Sequence, residues 1–165
     1  MTQDQRSLAV TAAAYDAIAV RYAAFVQGEL DALPLDRAVL AAFAEHVRTA
    51  GGGLVADLGC GEGRIGAHLA GLGLDVLGID LPAYLAEFAR VLRPGGHLLT
   101  AFFEAVGEQV TRYEHTVTPA YRWPADDLSA LATKAGFTEI GRMSREPRDG
   151  ERFRRGHLLM RAAAR

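Results

Sequence analysis

The sequence predicts an α/β fold, a doubly wound and mostly parallel sheet of fewer than seven strands, with a helical cap before it and an antiparallel strand pair at its C-terminal end. Three observations lead there. Residues 1–50 carry helical periodicity; from Leu54 onward, short apolar runs alternate with helical periods; and the first of those runs ends in a cluster of glycines at 59–63. The chain has 165 residues, 50% hydrophobic and 23% charged, which suits one soluble domain with a substantial core.

In the first segment Leu8, Tyr15, Ile18, Tyr22, Phe25 and Val26 recur at three- and four-residue steps, on one stripe of a helix. Leu33-Pro34-Leu35 interrupts that stripe. A second amphipathic run follows with Val39, Leu40, Phe43 and Val47 inward, and Gly51-Gly52-Gly53 stops it. Residues 54–58 read as a buried strand. Ile65, Leu69 and Leu72 mark the next helix face, closed by Gly71 and Gly73, and residues 74–80 form a second strand. Pro82 suits the first turn of a helix whose inner face is Leu85, Phe88, Val91 and Leu92. Pro94-Gly95-Gly96 is a turn and residues 97–103 a third strand. Residues 110–118 are weakly strand-like. A helix over 125–135 places Leu128 and Leu131 inward and ends at Gly136; residues 137–143 and 156–161 read as the final strand pair. The charged link between them, residues 144–155, reads as a solvated hairpin loop.

Several function classes are excluded by bulk properties. A formal net charge of -2 argues against a protein built to grip nucleic-acid backbones. No apolar run approaches the about 18 residues of a membrane helix, and MTQDQRS lacks the profile of a secretory signal. One cysteine makes no internal disulfide, and the five histidines (His46, His68, His97, His115, His157) show no metal-ligand spacing. A reduced, cytoplasmic location is expected, with no metal, nucleic-acid or membrane partner.

The informative stretch is Asp57-Leu58-Gly59-Cys60-Gly61-Glu62-Gly63-Arg64, a strand end, three alternate glycines and a helix start. Glycines permit a tight turn and let a ligand lie against the backbone, and the helix behind them offers unpaired N–H groups. Asp80 ends the next strand, 21 positions after Gly59, where a carboxylate can accept hydrogen bonds from two ribose hydroxyls. A nucleoside-containing cofactor is implied. Gly59, Gly61 and Gly63 form one register of the turn; Gly61, Gly63 and Gly66 form another, the G-x-G-x-x-G dinucleotide pattern of Rossmann folds.

The run VADLGCGEGR, with GID at 78–80 and LRPGG at 92–96, resembles the class I S-adenosylmethionine-dependent methyltransferases of Rossmann-like fold, and AGF at 135–137 echoes them more loosely. The resemblance touches nearly the whole chain and implies one domain over 1–165, with a helical cap at 1–50 and a methyltransferase core at 51–165. It implies that Asp57, Gly59, Cys60, Gly61 and Gly63 hold the methionine part of S-adenosylmethionine. Asp80 would then bind the ribose hydroxyls, Leu81 border the adenine, and a cap helix with Tyr15 and Tyr22 close over the cofactor. Tyr15, His115 and Trp123 are candidates for the side facing a small-molecule methyl acceptor. Both tyrosines also suit core packing, and Trp123, next to Pro124, also suits a packed turn. Methyl transfer is an in-line displacement that asks mainly for alignment and exclusion of water, so no catalytic dyad is required and no catalytic residue is assigned.

Family members carry two further strands and their helices between the acidic residue of the second strand and the PGG turn. Here 13 residues separate Asp80 from Pro94, room for one helix. The join falls between Leu81 and Pro82. Either a segment has been lost there, or the numbering closes over one, or the protein builds a smaller sheet in which residues 97–103 lie beside 54–58. Weak or absent activity is expected of the chain as it stands. The rival readings are an NAD(P)-binding Rossmann oxidoreductase, which lacks a recognisable hydride-transfer partner, and a non-catalytic cofactor-binding remnant.

Overall fold

The computed structural model describes residues 29–60, 63–79, 88, 90–107, 109–114 and 120–163. The helix expected over residues 1–28, with Tyr15 and Tyr22, lies outside these residues, as do Gly61, Asp80, Leu81 and His115. A 3-10 turn, Glu29–Ala32, leads into α1 (Pro34–Thr49), β1 (Leu54–Leu58), α2 (Arg64–Gly71) and β2 (Asp75–Ile79). Then come β3 (His97–Phe103), the short strands β4 (Thr111–Tyr113) and β5 (Ala120–Arg122), α3 (Ala125–Lys134), β6 (Phe137–Arg145) and β7 (Arg155–Ala162).

Pro34 opens α1 with its φ already set for a helix, Asp36 lies in the first turn and His46 and Arg48 in the last, as the helix dipole favours. Leu40, Phe43, Ala44 and Val47 are its buried stripe, while Val39 is half-buried. That stripe packs with Val55, Leu69, Leu74 and Leu159 in one apolar core, to which Leu99 adds. A second core lies on the other side of β7. There Leu158, Met160 and Ala162 meet Phe137, Ala132, Leu98 and Phe102, with Phe88 and Leu92 packed against them. Alternate residues of β7 therefore serve opposite faces, the period of a strand buried on both.

The expected single, mostly parallel sheet is corrected. The strands form three separate ladders: β1 and β2 pair in parallel, β3, β7 and β6 form an antiparallel three-stranded sheet, and β4 pairs with β5. No ladder joins β1 to β3 among the described residues. The connection from 80 to 96 shows no strand among its described residues to lie between them, and the two sheets are united through the α1 core instead. Among the described residues there are seven strands, no ladder holds more than three of them, and the weakly strand-like segment after β3 folds as the separate β4–β5 hairpin.

Two inward assignments change. Val91 is 57% exposed, and the helical face that packs carries Phe88 and Leu92. In α3 the buried residue is Ala132, not Leu131, because Leu128, Ala132 and Ala135 form the stripe at i, i+4 and i+7 and leave Leu131 at its margin.

The ends of the strands are fixed by contacts. The Gly96 N–H donates to the Arg93 carbonyl at 2.9 Å, and a Cβ on Gly96 would press against that same oxygen, so the turn before β3 needs glycine there. An Arg93 Nη2–H donates to the carbonyl of Ala50, just before β1, at 3.1 Å. The starts of β1 and β3 thus lie at one pole of the molecule, and the glycine turn follows the far end of β1. On the face of β1–β2 away from the core, Leu54 and Leu77 are 64% and 48% exposed.

Candidate functional site

Four of the residues singled out for a cofactor come together after β1. Gly59 and Gly63 have φ of +77° and +84°, a conformation that side-chain-bearing residues rarely adopt, and among the described residues beyond their chain neighbours no atom lies within 4 Å of where a Cβ would stand on either. Among the described residues the backbone is therefore bare at both positions. Between them the turn closes on itself, the Gly63 N–H donating to the Cys60 carbonyl at 2.8 Å. The Ala67 N–H then donates to the Gly63 carbonyl at 2.8 Å and starts α2.

Asp57 holds that helix start from below. Its Oδ2 accepts the N–H of Gly66, in the first turn of α2, at 2.9 Å, and so satisfies an amide that has no partner within the helix. Burial pushes the Asp57 carboxyl above its ordinary range, an effect only partly offset by the Gly66 amide and the charge of Arg64. Gly66 has a second duty. A Cβ there would lie 3.2 Å from Asp57 Oδ2 and 3.4 Å from a Val76 methyl, so its absence lets α2 approach the β1–β2 pair. Gly78 plays the same part for Cys60, whose Sγ lies 3.1 Å from the position of a Cβ on Gly78. The Cys60 side chain thus packs toward β2, and its backbone shapes the turn.

Arg64 at the start of α2 forms an ion pair with Glu29 of the 3-10 turn, Nη1 to Oε2 at 2.9 Å, with both side chains about one-third exposed. A cation at a helix N-terminus is disfavoured by the dipole, and Glu29 supplies the compensating charge. Glu29 carries no sequence signal of this role, since it lies 35 positions before its partner.

Trp123 lies alongside the C-terminal end of β3. Its N–H donates to the Phe103 carbonyl at 2.9 Å and its carbonyl accepts from Ala105 at 3.0 Å; the residue is half-buried. Beside it Phe103, Tyr113 and Phe153 pack edge to face, and guanidinium groups of Arg122, Arg152 and Arg155 lie over the rings of Phe153 and Phe103 at 4.0 to 4.9 Å. Phe153, Arg152 and Arg155 went unread in the sequence because they lie in the charge-dominated stretch 144–155, whereas Arg122, beside Trp123, was read as a residue that could line an acceptor pocket. Among the described residues, no group of three His, Cys, Asp or Glu is placed to hold a metal ion. No described helix is long and apolar enough to cross a membrane.

No protein-family model matches the chain, and comparison with curated proteins finds no match. Solved structures do match. The 1,6-didemethyltoxoflavin-N1-methyltransferase of Burkholderia thailandensis, crystallised with 1,6-didemethyltoxoflavin and S-adenosylhomocysteine, superposes with a TM-score of 0.62 at 19% identity, over 90% of this chain and 90% of that one. A SAM-dependent methyltransferase of Methanosarcina mazei superposes with a TM-score of 0.52 at 17% identity, over 68% of this chain and 93% of that one.

Proposed function

From the class I S-adenosylmethionine-dependent methyltransferase fold that the chain has in common with these two structures, we propose that it binds S-adenosylmethionine at the turn after β1 and serves methyl transfer to a small-molecule acceptor. The observation that carries this reading is the bare backbone at Gly59 and Gly63, anchored to the core through Asp57 and Gly66. A ligand can lie directly against such a turn, and the residues present there fit the polar amino-acid end of the cofactor. Bound S-adenosylmethionine supplies an activated methyl group on a sulfonium sulfur, which becomes a neutral thioether when the methyl leaves.

The chain's own residues do the holding. Asp57 keeps the first turn of α2 in place, and the Glu29–Arg64 pair fastens the segment before α1 to the same helix start. In this reading Gly61 completes the turn, Asp80 accepts the ribose hydroxyls, Leu81 borders the adenine and Tyr22 closes the site. Tyr15, His115 and Trp123 belong to the acceptor side. With only 13 residues between Asp80 and Pro94 the acceptor wall is short, and turnover is expected to be weak or absent.

One observation favours a second reading. The close approach that Gly66 allows between α2 and β1 is the duty of the third glycine in a dinucleotide-binding turn. Calorimetric titration with S-adenosylhomocysteine, S-adenosylmethionine and NAD separates the two. The expected result is micromolar binding of the first two, abolished by Asp80→Ala. Binding of NAD with no binding of S-adenosylhomocysteine would overturn the proposal.

A further inference from the structure

The pole opposite the glycine turn holds a second cluster that the proposed activity does not use. The pairing of three strands sets His97 of β3 beside Arg161 of β7, and Arg161 beside Thr138 of β6. Directly paired residues point to one face of a sheet, so an imidazole, a guanidinium and a hydroxyl stand abreast, each about 4.8 Å from the next at the backbone. They line an open surface hollow of about 420 Å³ whose other walls include Ala50 and Gly95, with Arg161 and Thr138 exposed to solvent. That volume is in the range of a small-molecule site.

The charge around this hollow is one-sided. His46 of α1 packs on His97 with ring centroids 5.3 Å apart, and Arg93 reaches in from the turn before β3. Burial, and then the charges of His46, Arg161 and Arg93, hold the His97 imidazole below its usual range, and among the described residues no carboxylate is one of the causes. Arg93 is engaged with the Ala50 carbonyl at the C-terminal end of α1. Arg161 is not engaged in this way. Arg142, Arg145 and Arg154 each hold carboxylates within 3.3 Å, whereas Arg161 has no carboxylate partner among the described residues.

We propose that this hollow is an anion-binding site for a phosphate group, with Arg161 as the counter-charge and Thr138 and His97 as flanking hydrogen-bond donors. A guanidinium fork takes two oxygens of a tetrahedral oxyanion and leaves others for donors on either side. The site is distinct from the glycine turn. The five residues of β1, about 16 Å of strand at the usual rise, run between the two poles. The volume leaves room for more than a bare ion, so the group is free phosphate or the phosphate of a monoester.

The test is a titration of the folded protein with inorganic phosphate, followed through the imidazole resonances of His97 and His46. Potassium chloride at matched ionic strength is the control. Saturable shifts with phosphate are expected, together with a rise in the apparent pKa of His97 as the anion favours its charged form. Arg161→Gln is expected to weaken phosphate at least tenfold, and Thr138→Val by a smaller factor, with the circular dichroism spectrum unchanged. Phenyl phosphate in place of phosphate identifies the source: tighter binding assigns the site to a monoester, equal binding to the free ion. Equal shifts with chloride, or undiminished phosphate affinity in both variants, would overturn the assignment.

Discussion

Gly156 of β7 faces the ring of Phe102, its partner across the β3–β7 ladder, and a Cβ at this position would lie 2.4 Å from Cζ of that ring. The ring is half-buried and packs against the second apolar core, so a Cβ at Gly156 would force the ring or the strand to shift. Gly156→Ala is therefore expected to destabilise the protein by about 1–3 kcal/mol, the range for overpacked cores, measured by urea denaturation. Nothing in the local sequence marks this glycine, because the residue that requires it lies on a distant strand. Asp57 was legible, through its place before alternate glycines, although its partner Gly66 was not assigned that contact. Its carboxyl is raised above the ordinary 3.8 by burial, so the native state holds the proton more tightly than the unfolded chain. Stability from this group is then fully present below the unfolded value and is lost as pH rises through the folded one. Asp57→Asn retains an oxygen for the Gly66 amide and removes the buried charge. The variant should be more stable than the wild type at neutral pH, with the difference vanishing toward pH 3; an unchanged difference across that range would count against the assignment.

Helix α1 is the element on which the arrangement turns. Its apolar stripe spans the core shared by β1 and β7, and at its N-terminal end Asp36 meets a charged clasp. Arg145 of β6 donates to Asp36 at 2.7 Å and grips Glu151 with both terminal nitrogens, with side-chain exposures of 7%, 15% and 15%. Removing one member of so buried a cluster strands the others. Arg145→Met should cost about 3–5 kcal/mol. Glu151, held at about 2 by Arg145, contributes stability that is complete above the ordinary 4.5 and lost as pH falls toward 2. Denaturation profiles at pH 6 and pH 3 should show that loss, and Glu151→Gln should flatten it. Most elements could be read from sequence because turn residues bound them, as Pro94-Gly95-Gly96 bounds β3 and Gly136 bounds α3. The clasp could not. Residues 144–155 carry charges of both signs, and a charge run reads as solvated unless the tertiary partner, here Asp36, is known.

At the scale of the molecule, periodicity could reveal strands but not which strands neighbour one another. The alternation of strand and helix from Leu54 onward implied a parallel sheet, and β1–β2 obeys it. The interruption between β1 and β3 depends on a connection too short to be judged by local pattern, as the 13 residues after Asp80 had hinted. That interruption has a consequence for how the protein breathes. Backbone amides of β7, flanked on both sides and lined by Leu158 and Met160 at 0% exposure, should exchange with deuterium only on global unfolding. Those of the two-stranded β1–β2 ladder, with Leu54 and Leu77 open to water, should exchange through a separate, lower-energy opening. Native-state exchange in dilute urea would resolve two cooperative units, and a single isotherm for both ladders would show that α1 binds them into one. If the units are separate, the glycine turn at the end of β1 rides on the less protected of the two, and a ligand held there would reveal itself first as slowed exchange in β1 and β2.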